Sequence, residues 1–129
     1  MAPIAVTLAR QSPPAAVVTL VGEHDAYSAG QIESELTALL DEGLRIVVDL
    51  RDTAFIDSTT LSVLLGARLR AEKSALGFAL VLPEREDTQV HQILDLTGLG
   101  ATFAIFGKLD AALAEVRAGR VDDRPVRAA

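Results

Sequence analysis

From residue 45 onward, short apolar runs alternate with stripes of helical spacing, and this alternation limits the possible folds more than any other feature of the chain. "RIVVDL" (45–50) is a β-branched run without polar alternation, which predicts a central strand covered on both faces. Leu61, Leu64, Leu65 and Leu69 then recur at helical spacing, and "LGFALVL" (76–82) reads as a second buried strand closed by Pro83. Val90, Ile93 and Leu94 predict a short helix, "ATFAIF" (101–106) a last strand, and Leu109, Ala112, Leu113 and Val116 a terminal helix. Strands separated by helices pair in parallel through crossovers, so 45–50 and 76–82 are expected to be internal and parallel neighbours.

The first third of the chain reads differently. Ile4, Val6 and Leu8 alternate with Ala5 and Thr7, as in a half-buried strand, and "AAVVTLVG" (15–22) follows after the turn signal Ser12-Pro13-Pro14. An opening hairpin is expected. Ser28 and Gln31 have the spacing of a capping box, and Ile32, Leu36, Leu39 and Leu40 then form a helix stripe that Gly43 is placed to stop. The reading is one α/β domain over 1–118: a mixed, mostly parallel β-sheet flanked by about four helices. The polar stretch "GRVDDRPVRAA" (119–129) is expected to be a flexible tail.

Composition narrows the function. At 129 residues, half of them apolar, the chain supports one ordinary core. The absence of cysteine excludes disulfides, thiolate metal sites and cysteine nucleophiles. No segment approaches the roughly 20 apolar residues needed to cross a bilayer, so no membrane insertion is expected and the reading is cytoplasmic. A formal charge of -6 argues against a nonspecific nucleic-acid surface. Arg68, Arg70 and Lys73, with Glu72 among them, read as a solvated helix face.

Two polar clusters follow predicted strands, where the chemistry of crossover folds gathers. They are "GEHDAYS" (22–28) and "DLRDTAFIDSTT" (49–60). Asp57 or Ser58 as the cap of the next helix would account for one of the polar residues Asp57, Ser58, Thr59 and Thr60. A phosphoryl group on Ser58 would face the free N–H groups and positive dipole end of that helix, and would add about -1.5 to -2 charges to a nearly neutral surface. Conventional catalysis is disfavoured: there is no G-x-S-x-G elbow, no S-x-x-K arrangement, and no phosphate-binding or dinucleotide fingerprint. Glu23, His24 and Asp25 are consecutive, and three neighbours converge on one metal only where the chain turns sharply. No cofactor or metal is expected, and the other histidine, His91, reads as a boundary residue. A hydroxyl suited to modification, in a chain with no means of modifying it, implies a kinase from outside.

The stretch "VVDLRDTAFIDSTTLSVLLGARLR" resembles the central block of STAS-domain proteins of the bacterial anti-sigma factor antagonist type. "LVGEHDAYSAGQIESELTALL" is similar to their acidic loop and first helix, and "HQILDLTGLGATFAIFGKLDAAL" to their final segment, so the likeness runs from about Val17 to Ala114. The resemblance implies a protein that is not an enzyme but binds an anti-sigma factor, itself an ATP-dependent serine kinase of histidine-kinase-like ATPase fold. Binding frees the sigma factor. The resemblance also implies that phosphorylation of Ser58, beside Asp57, ends the binding, and that a metal-dependent serine phosphatase restores it. Carried over in the same way, the partner surface comprises Glu23, His24, Asp25, Ser58, Thr59 and Ser62.

Two residues depart from the family's pattern. Thr60 stands where glycine is usual and is expected to crowd an approaching partner backbone, and His24 stands where an apolar residue is usual. A STAS scaffold or subunit of a signalling or transporter complex, without a serine switch, is the alternative reading. Binding of a small ligand is a third.

Overall fold

All five residues of Arg45–Asp49 are buried, and burial on both faces requires a layer of structure above and below that strand. The computed structural model, which describes residues 3–9 and 13–118, supplies both layers. In chain order the elements are β1 (Ile4–Ala9), β2 (Ala15–Leu20), β3 (Gly22–His24), α1 (Ala26–Asp41), β4 (Arg45–Asp49), β5 (Thr53–Ile56), α2 (Ser58–Lys73), β6 (Phe78–Val81) and α3 (Gln89–Thr97). A 3-10 turn at Leu99–Ala101, β7 (Ala104–Phe106) and α4 (Leu109–Arg117) complete the order. The main sheet runs β1-β2-β4-β6-β7. β1 is antiparallel to β2, and every other pairing is parallel, so β4 and β6 are internal parallel neighbours, as the apolar runs predict.

Alternate residues of the strands feed two cores. On one face Val18, Ile46, Val48 and Leu80 pack with Ile32 and Leu36 of α1, Leu61 and Leu64 of α2, and Val90 and Leu94 of α3. On the other, Val17, Val47, Ala79 and Val81 meet Ala112 and Val116 of α4. The second layer is thin because one helix covers it, and α4 sits very close to the sheet. A Cβ on Gly77, just before β6, would lie 2.8 Å from the Val116 Cα, so this position admits only glycine without displacing the helix.

Several expectations are revised. β1 is not half-buried: it is an edge strand with no strand beyond it among the described residues, leaving Val6 38% and Leu8 40% exposed. α1 begins at Ala26 and its cap is Asp25, whose carboxylate accepts the Tyr27 N–H, so Ser28 is not the head of a capping box. The segments read as loops at 22–24 and 53–56 are β3 and β5, which form a separate two-stranded parallel sheet. The last strand is shorter than expected because the 3-10 turn takes Ala101 and the chain is still turning at Thr102 and Phe103. The expected tail at 119–129 lies outside the described residues.

Two glycines should respond oppositely to alanine. Gly77→Ala should lower stability by about 1–3 kcal/mol through forced repacking of α4. Gly66→Ala, within α2 and with open space around the added Cβ, should raise stability by up to about 1 kcal/mol through helix propensity. Urea denaturation of the two variants checks both signs.

Candidate functional site

Two of the three helices of the thicker layer, α1 and α2, start from the small sheet. β3 and β5 run parallel, and each is followed by one extended aspartate and then a helix: Asp25 before α1, Asp57 before α2. The Asp57 carboxylate accepts the Thr60 N–H at 2.8 Å, which resolves the choice of cap in favour of Asp57. Ser58 is thereby the first residue of α2 and is exposed, as are Thr59 and Ser62. No acidic side chain occupies the first turn of α2, whereas Arg70 and Lys73 lie in its last turn, an arrangement that leaves the positive end of the helix open to an anion.

Thr60 corrects the expectation of a crowded approach. Its side chain is fully buried and its hydroxyl donates to the His24 carbonyl at 3.2 Å, so its methyl and hydroxyl are turned away from any partner. The same carbonyl accepts the Asp57 N–H at 3.2 Å. Both bonds come from the start of α2, so the His24 backbone ties β3 to that helix.

His24 also corrects its assignment to a contact surface. The imidazole is fully buried, with Nε2 3.2 Å from the Val21 carbonyl and Nδ1 3.2 Å from the Ser28 hydroxyl. Burial lowers its pKa below 6.5, opposed by the Val21 carbonyl and the Asp25 charge. Glu23 and Asp25, on either side, are exposed. Strand alternation therefore sends consecutive acidic and imidazole side chains to opposite faces, and no set of three potential metal ligands converges among the described residues.

The rim consists of the exposed Glu23 and Asp25, the hydroxyls of Ser58, Thr59 and Ser62, and a residue the sequence did not single out. Phe55 lies in register with Glu23 across the small sheet and is 38% exposed. Its place in the short apolar run Ala54-Phe55-Ile56 between polar residues was its available signal. Gln89, the first residue of α3, had none: its amide pairs with both the N–H and the carbonyl of Ile56, 33 residues away. The two arginines of the basic cluster are engaged within the fold, since Arg70 reaches Thr37 and Asp41 at 3.0 Å each and Arg68 faces Glu72 at 3.5 Å. His91 is half-buried and bonded to Thr88, the α3 cap, at 2.8 Å.

The STAS domain profile matches residues 7–112. The anti-sigma-B factor antagonist of Bacillus subtilis is 33% identical over 82 residues, covering 64% of this chain and 72% of that protein. The anti-sigma-F factor antagonist RsfB of Mycobacterium tuberculosis is 30% identical over 108 residues, covering 83% of this chain and 85% of that protein. The crystal structure of an anti-sigma factor antagonist from Mycobacterium paratuberculosis superposes with a TM-score of 0.74 at 28% identity, over 89% of this chain and 95% of that one.

The buried imidazole makes stability depend on pH. Below pH 6.5 the unfolded chain binds a proton that folded His24 refuses, so stability is unaffected above 6.5 and falls as pH drops from 6.5 towards the lower folded-state value. His24→Gln should remove this component, flattening the slope between pH 6.5 and 5 by no more than about 1.4 kcal/mol per pH unit, the limit for one proton. Urea titrations across that range check it; a slope unchanged by the substitution would show that His24 takes up its proton freely in the folded state.

Proposed function

The chain belongs to the STAS-domain family, and we propose that it acts as an anti-sigma factor antagonist whose binding is reversed by phosphorylation of Ser58. In the unmodified state it binds an anti-sigma factor that is also an ATP-dependent serine kinase of histidine-kinase-like ATPase fold, and the sigma factor is released. A metal-dependent serine phosphatase returns the modified protein to the binding form. The reading places the protein in the cytoplasm with these partners; no helix among the described residues is long and apolar enough to cross a membrane.

The observation that carries the proposal is the position of Ser58: exposed, first in its helix, and on a rim shared with Glu23 and Asp25. The names of the relatives supply the partner class. The geometry suits a switch. Ser58 and Thr59 are exposed and uncharged, Phe55 adds apolar surface beside Glu23, and the acidic side chains Glu23 and Asp25 favour basic groups opposite. A dianion on Ser58 adds bulk and charge to this surface, where a docked partner must desolvate it. The positive end of α2, only partly neutralised by its Asp57 cap, stabilises that charge in the uncomplexed protein, so modification changes binding rather than folding. Asp57, whose carboxylate is committed to the Thr60 N–H, orients the acceptor turn and is not a catalytic base.

Incubation with the cognate kinase and ATP should label Ser58 alone. Ser58→Ala should abolish the label while retaining partner affinity, and stoichiometric phosphorylation should weaken binding by a hundredfold or more, about 3 kcal/mol. Mass spectrometry and calorimetry at one ionic strength read these outcomes; equal affinity of the two forms would reject the switch in favour of a scaffold. Separately, Asp25→Lys should weaken binding more than Asp110→Lys on α4, and equal effects in the same titration would show that the partner reads only net charge.

A further inference from the structure

Thr60 and Gln89 grip the chain on either side of Ser58. Thr60 belongs to α2, yet its hydroxyl reaches outside the helix to the His24 carbonyl, a contact spanning 36 residues of sequence. A helical threonine commonly bonds back to its own helix, as Thr97 does here to the Ile93 carbonyl at 2.8 Å. The His24 carbonyl that receives Thr60 also receives the Asp57 N–H, and Asp57 in turn holds the Thr60 N–H. Residues 57 and 60 are thus both tied to the acidic loop, with Ser58 between them. His24 is itself fixed, since its ring lies against the Val21 carbonyl and the Ser28 hydroxyl.

The second grip comes from the opposite side. β5 has β3 as its one strand neighbour in the small sheet. On its other side Gln89 stands in for a strand: Oε1 accepts the Ile56 N–H at 2.9 Å, and Nε2 donates to the Ile56 carbonyl at 2.7 Å. Ile56 is the last residue of β5, two positions before Ser58. α3 therefore holds the chain just before the acceptor turn, and the acidic loop holds it within the turn.

We propose that Thr60 and Gln89 are positioning residues, two clamps that fix the Ile56–Thr60 turn so that Ser58 and the Glu23–Asp25 loop meet a partner as one preset surface. The proposal rests on the serine-switch reading for its consequence, but the clamps are measurable without any partner. A turn that samples other conformations weakens apparent binding in proportion to the competent fraction, so losing a clamp raises KM for a kinase acting on this protein while kcat stays constant.

The variants are Thr60→Val, which removes the hydroxyl at constant shape, Thr60→Ser, which keeps it, and Gln89→Ala. Amide hydrogen exchange of the protein alone is read at Asp57 and Ile56, with Val48 in the middle of β4 reporting global opening. Thr60→Val should speed exchange at Asp57, and Gln89→Ala at Ile56, by about five- to tenfold beyond any change at Val48. Thr60→Ser should behave as wild type. With the kinase, Thr60→Val and Gln89→Ala should raise KM for this protein at unchanged kcat, and Thr60→Ser should restore it. Exchange at Asp57 and Ile56 that merely follows Val48, or faster local exchange with unaltered KM, overturns the positioning role. A wild type that the kinase leaves unmodified rejects the serine switch itself, and the clamps then stand or fall on the exchange measurement.

Discussion

The parallel pairing of β3 with β5 obliges α1 and α2 to leave the small sheet in the same direction, and the geometry of the rim follows from that obligation. His24 lies opposite Ile56 in this pairing, so the residues that come next, Asp25 and Asp57, occupy equivalent places and cap neighbouring helices. An antiparallel pairing would send one helix away from the other and separate the acidic loop from the serine. The small sheet has no large hydrophobic face of its own. It is held by hydrogen bonds to other elements: the Thr53 hydroxyl of β5 donates to the Leu20 carbonyl at 2.6 Å, at the end of β2, and Gln89 from α3 occupies the far edge. The main sheet thus fixes the direction of the small one, and the small one fixes the rim.

Polar groups buried at this junction are tolerable because each has a partner. An unpaired buried hydroxyl or imidazole costs roughly 1–3 kcal/mol, whereas a bonded one contributes modestly and specifies a single arrangement. Neutral His24 satisfies the Val21 carbonyl when Nε2–H donates to it, and Nδ1 then shares the Ser28 hydroxyl with the Asp25 carbonyl, which lies 3.3 Å from the hydroxyl oxygen. The lowered pKa keeps the ring in that form near neutrality. His24 and Thr60 meet at one point: the backbone of the first accepts the hydroxyl of the second. Glycine at position 60 would leave the His24 carbonyl with the Asp57 N–H alone, so in this chain the histidine and the threonine are parts of one junction.

The long elements are legible in the sequence because their periods repeat often enough to be recognised. The stripe Ile32, Leu36, Leu39 and Leu40 faces the core as its spacing predicts, and the unbroken run at 45–50 becomes the central strand. β3 and β5 were not legible as strands: three and four residues are too few to establish a period of two, and Glu23 and Asp52 make their surroundings read as loop. β1 shows the complementary failure. Its alternation is real, but burial depends on what stands beyond the strand, and at this edge no further strand does among the described residues. At the rim, Asp57 as cap and Ser58 at the helix start follow from local chemistry. Gln89 does not, because its amide serves a backbone 33 residues away that only the tertiary fold brings near.

Charge ties these parts together. The rim carries the carboxylates of Glu23, Asp25 and Asp57, and a fourth negative group there would ordinarily be repelled. Asp25 and Asp57 are each engaged with a backbone N–H of the helix they cap, so part of their field is spent on the two helix dipoles. The first turn of α2 brings no further acid, and the basic residues of that helix are gathered at its opposite end. A phosphate on Ser58 would therefore meet an N-terminal turn whose positive end is only partly neutralised, while the face it presents outward would become strongly negative. The local helix and an approaching partner would experience opposite sides of the same charge, so the proposed modification would leave the fold intact and still deny the surface to a partner.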